Sequence, residues 1–213
     1  MEVIVVRHGR PEIERRAEGI ADPGLDPHGV WQAERVSTWL AHEAVDAIVA
    51  SPKARACDTI RPLARHLGLD IEVEPGFDEI DRNSPVYVPT DLWATHGQDL
   101  LTALGEERYA EIGYDAPEEF TERIHATWRH FVERRPGRTV VLACHGGTIR
   151  EILRAVLGEA APSFHVRVEY ASITRIRVEQ HRSVVVSINE TGHFDADRIA
   201  MRGPMYLAPT MET

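Results

Sequence analysis

The sequence predicts an α/β fold, a three-layer α/β/α sandwich with a mostly parallel central sheet. Three observations carry this expectation. Short apolar runs rich in Val and Ile recur along the chain, the pattern of strands buried on both faces. Between them lie segments whose apolar residues repeat at helical spacing, and that alternation places helices on both faces of a parallel sheet. The chain has 213 residues, a length at which a single domain buries about 70% of the surface its unfolded chain exposes.

Taken in order, Glu2 to Val6 is the first strand and stops at Arg7-His8-Gly9. A helix is expected from Asp26-Pro27-His28-Gly29, with Val30, Trp31, Ala33, Val36, Trp39 and Leu40 forming one apolar face. Ala47 to Ala50 is a second strand. Ser51-Pro52 after it reads as an N-cap with proline at the first helical position, and the helix turns Ala54, Cys57, Ile60, Leu63, Ala64 and Leu67 inward as far as Gly68. Asp70 to Val73 is a third strand, closed by Pro75-Gly76. Residues at about 82–116 have weak periodicity and are punctuated by Pro85, Pro89, Gly97, Gly105 and Gly113, so they read as a lid-like insertion of short helices and loops. A helix follows over Pro117 to Arg134, then a strand over Thr139 to Cys144 that ends on His145-Gly146-Gly147, then a helix over Thr148 to Leu157. Ser172 to Val178 and Ser183 to Ile188 flank a polar turn as a hairpin. One domain over 1–200 and a tail over 203–213 complete the expected organisation.

Composition excludes several function classes. Acidic residues number 34 against 24 basic, a formal net charge of -10. A field of that sign repels polyanions, so nucleic acid and acidic membrane faces are not expected partners. No apolar run approaches the roughly 20 residues that span a bilayer, and the amino-terminal run is too short and wrongly flanked for a secretory signal. Cys57 and Cys144 stand in no disulfide or metal-site spacing. A cytoplasmic protein without metal or cofactor is the expectation, and a homodimer through edge strands or the terminal hairpin is compatible with the pattern.

The chemistry gathers where two strands end alike, on Arg7-His8-Gly9 and on His145-Gly146-Gly147. The carboxyl edge of a parallel sheet is where ligands bind, and glycines after each histidine let a ligand approach the backbone. If the two strands are neighbours, His8 and His145 face one pocket. Ser51-Pro52-Lys53-Ala54-Arg55 brings a second guanidinium to join Arg7. Two arginines, two histidines and a helix N-terminus suit a phosphoryl group, and a neutral imidazole is a competent nucleophile at phosphorus. Surrounding positive charge keeps such an imidazole deprotonated. A carboxyl group must protonate the leaving alkoxide and later deprotonate water; Glu79 is best placed, with Asp78 and Asp81 beside it. Shared position at strand ends and the two arginines weigh against reading His8 and His145 as merely packed histidines. The remaining histidines read as ordinary surface groups, except His96, which with Arg82, Asn83 and Tyr87 falls where substrate contacts from the insertion are expected.

Arg7-His8-Gly9, the run Leu25 to Ala33, Ser51-Pro52-x-x-Arg55-Ala56-x-x-Thr59, Phe77-x-Glu79 and His145-Gly146-Gly147 occur in an order and spacing that resemble the histidine phosphatase superfamily, the phosphoglycerate-mutase-like clan. The resemblance implies that fold, a phosphohistidine mechanism with His8 as nucleophile, phosphate binding by Arg7, Arg55, His145 and the Gly146 N–H, and proton donation by Glu79. Many relatives carry Glu or Gln, Thr and a later Asn after Arg-His-Gly; here Arg10-Pro11-Glu12-Ile13-Glu14 stands there, with Arg10 as a replacement phosphate contact.

Three activities share this pocket: a phosphatase acting on a small phosphorylated metabolite, a cofactor-dependent phosphoglycerate mutase, and a non-catalytic phosphate-binding regulator. Ile80-Asp81-Arg82-Asn83 follows Glu79 in place of the mutases' Glu-Arg-His-Tyr-Gly segment. Every matched catalytic position keeps a competent residue type. A phosphoric monoester hydrolase is the first expectation.

Overall fold

Apolar side chains from Val3 to Val6 leave β1 (Glu2–Arg7) no polar face, so it takes a central place in a sheet covered on both sides. The computed structural model describes residues 1–135, 137–158, 166–179 and 182–194. After β1 come β2 (Glu14–Arg15), α1 (Pro27–Leu40), β3 (Ala47–Ala50), α2 (Ala54–Leu67), β4 (Ile71–Val73), β5 (Val86–Tyr87), α3 (Trp93–His96) and α4 (Gln98–Gly105). The order continues with α5 (Pro117–Glu133), β6 (Thr139–Cys144), α6 (Gly146–Leu157), β7 (Ile173–Val178) and β8 (Ser183–Glu190).

Six strands form one sheet in the order β4-β3-β6-β1-β7-β8. The four joined through helices are mutually parallel, because a helical crossover returns the chain to the same end; β7 runs antiparallel to β1, and β8 antiparallel to β7. One face packs Val3, Val5, Val140 and Leu142 against Phe120, Ile124, Phe131 and Ile152 of α5 and α6. The other packs Ile4, Val6, Ile48 and Val141 against Val36, Leu40, Ile60 and Leu63 of α1 and α2. The result is the three-layer arrangement expected. Among the described residues no helix is long and apolar enough to cross a membrane.

Four local expectations change. The Ser51-Pro52 pair does not cap α2, which starts at Ala54 with Lys53 as its N-cap residue; the Ser51 hydroxyl turns instead toward His145. Helix α2 buries Arg55, Ala56 and Thr59, and leaves Ala54, Cys57 and Leu67 half-buried, the last two packed at the margin of the core. In α1, Val30 and Trp39 lie exposed while Gly29, Gln32 and Ser37 are buried. The polar burial has a reason: Gln32 Oε1 accepts the Arg10 N–H at 2.8 Å, and a Cβ on Gly29 would lie 2.0 Å from the Arg10 carbonyl, so α1 presses on the loop after β1. Helix α6 begins at Gly146, two residues before the expected Thr148.

Residues 82–116 hold α3, α4 and short 3-10 turns, together with β5, which pairs antiparallel with β2 through Glu14↔Tyr87 and Arg15↔Val86. That ribbon ties the loop after β1 to the segment Val86 to Asp91. The expected tail over 203–213 lies outside the described residues, as do residues 180–181 of the expected polar turn.

Candidate active site

Because β1 and β6 are parallel neighbours with Arg7 opposite Cys144, the next residues, His8 and His145, emerge side by side at the carboxyl edge. The His8 N–H donates to the Cys144 carbonyl at 2.9 Å and continues the ladder. The two imidazoles lie 5.1 Å apart between centroids, tilted by 57°. Both are buried, at 2% and 0% exposure. His8 Nδ1 lies 2.8 Å from the Gly9 carbonyl, which only accepts, so Nδ1 carries the proton and Nε2 the free lone pair. Burial first, then the charges of Arg55 and Arg7, push the His8 pKa well below its usual value; burial and Arg55 do the same to His145. Two neutral imidazoles therefore stand in a cationic surround.

The arginines are held from behind. Arg7 donates through Nη1 to the Val168 carbonyl at 2.6 Å and through Nη2 to Thr90 Oγ1 at 3.4 Å, and its guanidinium stacks 3.9 Å above the Tyr170 ring. Arg55, fully buried, donates through Nη2 to Asp81 Oδ1 at 3.1 Å and lies 4.3 Å above the Tyr87 ring. Thr59 Oγ1 accepts the Gly9 N–H at 2.8 Å and donates to the Arg55 carbonyl at 2.6 Å, which locks the loop after His8 to the helix carrying Arg55. Among the described residues, Arg7 Nε, Arg55 Nε and Nη1, and His145 Nδ1 are buried without a protein partner. Buried polar atoms are normally satisfied, and a tetrahedral anion is the ligand whose oxygens match such a set.

Glu79 reaches the N-terminus of α6. Its Oε2 accepts the Gly147 N–H at 2.7 Å and its Oε1 accepts the Ile80 N–H at 2.9 Å. Burial and the neighbouring Asp81 charge raise its pKa, with the two backbone bonds and Arg55 pulling the other way. Asp81 is committed to Arg55. Asp78 accepts the Glu79 N–H at 2.9 Å, and burial raises its pKa too. Gly147 is glycine for a spatial reason: a Cβ there would lie 2.3 Å from Glu79 Oε1. Gly147→Ala is thus expected to displace the carboxylate and to lower turnover of alkyl phosphates by about the factor that Glu79→Gln does. In a double-mutant cycle the two losses are expected not to add, and full additivity would separate the two residues.

The remaining expected contacts divide. Gly146 opens α6 close to Arg7, its Cβ position lying 3.5 Å from Arg7 Nε, so its backbone borders the arginine. Tyr87 enters the site beneath Arg55. The Arg10 guanidinium is paired with Asp26, and with Asp91 at 3.2 Å. Arg82 Nε is bound to Asp115 Oδ1 at 2.8 Å, Asn83 is exposed with its backbone N–H on the Gly113 carbonyl, and exposed His96 pairs with the Thr95 hydroxyl at 2.8 Å. Among the described residues no hydrogen bond or ion pair joins these three to the histidines. Sequence reasoning missed Tyr170, whose ring lies 5.6 Å from that of His8, and Lys53, buried with Nζ on the Arg82 carbonyl at 2.9 Å. The Tyr170 hydroxyl also accepts the Thr90 N–H at 3.0 Å. No motif marks Tyr170; for Lys53 the sequence offers its place directly after Ser51-Pro52, in the segment that carries Arg55.

Comparison with known proteins agrees with this fold. A family model described as the histidine phosphatase superfamily (branch 1) matches residues 3–191. The chain is 27% identical over 199 residues to phosphoserine phosphatase 1 of Hydrogenobacter thermophilus, covering 91% of this chain and 94% of that one. It is 25% identical over 206 residues to a probable phosphoglycerate mutase of Salmonella paratyphi A, covering 92% and 96%. Among solved structures, Bacillus stearothermophilus YhfR shares the fold with a TM-score of 0.72 at 20% identity, covering 90% of this chain and 98% of that one.

Proposed function

The chain belongs to the histidine phosphatase superfamily (branch 1), and from that membership we propose that it hydrolyses a small phosphorylated metabolite through a phosphohistidine formed on His8. The observation that carries the reading is a buried imidazole held through Nδ1 by the Gly9 carbonyl, together with Arg7 Nε, Arg55 Nε and Nη1, and His145 Nδ1, which have no protein partner among the described residues. His8 Nε2 attacks phosphorus as the bond to the ester oxygen breaks, and Glu79 gives its proton to the leaving alkoxide. Water then attacks the phosphohistidine, returns a proton to Glu79 and releases inorganic phosphate. The arginine and His145 donors meet the equatorial oxygens, where charge must be held in both transition states.

The relative from Hydrogenobacter is named for phosphoserine, and a small ester of that size suits the surroundings. The net charge of -10 repels phosphorylated polymers more than small esters, while the pocket itself is cationic. The relative named as a mutase supports a second reading, phosphoryl transfer within phosphoglycerate. Phosphate release should be followed with p-nitrophenyl phosphate, phosphoserine and a panel of sugar, nucleotide and glycerate phosphates. Hydrolysis of at least one small monoester is expected. Isomerisation of 3-phosphoglycerate that requires a bisphosphoglycerate primer, without net hydrolysis, would replace the phosphatase by the mutase; phosphate binding without either would leave a binding protein.

A further inference from the structure

We propose that Ser51 is a positioning residue that fixes His145 as the Nδ1–H tautomer, so that the second imidazole offers the phosphoryl group a hydrogen-bond donor and not a second nucleophile. The inference rests on the phosphatase reading for its catalytic meaning, and on geometry alone for the tautomer. Strand β3 lies beside β6 with Ala50 opposite Ala143, and the Ser51 N–H donates to the Ala143 carbonyl at 2.9 Å. That register sets the Ser51 side chain against His145, with Oγ 2.6 Å from Nε2 and both residues fully buried.

The direction of this bond follows from the company Oγ keeps. Its other neighbour is the Lys53 backbone N–H at 3.5 Å, which only donates. Among the described residues the one acceptor within reach of the Ser51 hydroxyl proton is therefore His145 Nε2. A neutral imidazole accepting at Nε2 must carry its proton at Nδ1, and Nδ1 is the ring atom buried without a partner among the described residues, in a ring 5.1 Å from that of His8. The reverse tautomer would leave the hydroxyl proton of fully buried Ser51 unsatisfied, and would set an Nδ1 lone pair against phosphate oxygens. His8, held through Nδ1 by a carbonyl, presents a lone pair; His145, held through Nε2 by a hydroxyl, presents an N–H. The two backbones are near-equivalent strand ends, and the second partner of each ring makes the roles different.

The test is the imidazole 15N spectrum of the whole protein, free and with inorganic phosphate, the His145 signals being assigned by their absence in His145→Gln. Wild type is expected to show His145 protonated at Nδ1 in both states. An Nε2-protonated His145 in wild type overturns the proposal whether or not the protein has any phosphatase activity, and an absence of activity with the Nδ1–H tautomer present overturns only the functional reading. In Ser51→Ala the tautomer is expected to become mixed, and kcat and kcat/KM to fall together by about 10- to 100-fold, less than outright loss of an oxyanion donor. Ser51→Thr, which keeps the hydroxyl, is expected to restore the Nδ1–H tautomer and most of the rate. Ser51→Ala with wild-type tautomer and rate would overturn the proposal; should that variant fail to fold, the wild-type spectrum and Ser51→Thr decide it.

Discussion

His8→Ala is expected to lower phosphate release from p-nitrophenyl phosphate by on the order of 10⁴- to 10⁶-fold, the scale set by removing the nucleophile of a covalent enzyme. No other group of the site replaces it. The His145 Nε2 lone pair is engaged by Ser51 at 2.6 Å, whereas His8 is held through Nδ1 and no hydrogen bond occupies its Nε2 among the described residues. Binding should survive, because Arg7 is anchored by Val168 and Tyr170 and Arg55 by Asp81 and Tyr87, none of which touches the His8 ring through a hydrogen bond. Inhibition by inorganic phosphate measured on residual turnover, or phosphate titration followed by NMR, should therefore change by less than about 10-fold, the worth of a single contact of roughly 1.4 kcal/mol. Acid-labile label from a 32P-substrate should be trapped on wild type and lost from the variant. If His8→Ala kept its turnover and its adduct, the nucleophile would be elsewhere, with His145 the first residue to replace.

What the chain reveals before folding is what depends on neighbours in sequence. Val3 to Val6 and Val140 to Ala143 are apolar without interruption, and each runs into a histidine followed by glycine; the strands, their burial and the shared edge all follow from short stretches. The helix bearing Arg55 is legible for the same reason. What escapes depends on partners distant along the chain. Ser51 before a proline has the pattern of a cap, and only the register of β3 on β6 reveals that its hydroxyl serves a histidine 94 residues away. Arg10, two residues from His8, reads as a phosphate contact until folding brings it Asp26 and Asp91, 16 and 81 residues along. Tyr170 lies in an irregular stretch without periodicity, and joins the site only because β7 pairs with β1 and carries the preceding residues over Arg7. The ribbon between β2 and β5 has two residues per strand, too few for an alternating pattern to show.

Glu79→Gln is expected to cost about 10²- to 10³-fold in kcat/KM with an alkyl phosphate and less than about 10-fold with p-nitrophenyl phosphate, because a phenolate of low basicity leaves with little need of a proton. The geometry gives the reason for preferring this carboxyl over its neighbours. Asp81 is spent on Arg55, and Glu79 is fastened to the N-terminus of α6 by the Gly147 N–H. The pH profile supplies a second measurement, and the signs are fixed by the environment. Burial and Asp81 raise the Glu79 pKa, so the acid form persists to higher pH than in an exposed glutamate and is lost as pH rises through that raised value. Burial and the arginines lower the His8 pKa, so the nucleophile stays neutral until pH falls well below the ordinary histidine value of about 6.5. For alkyl phosphates kcat/KM should hence fall at both extremes, the acid limb set by His8 and the alkaline limb by Glu79. In Glu79→Gln the alkaline limb should vanish and the acid limb remain. Equal losses for both leaving groups, with the alkaline limb intact, would move the proton to Asp78, whose carboxyl is also raised by burial and whose observed bond is to the Glu79 N–H.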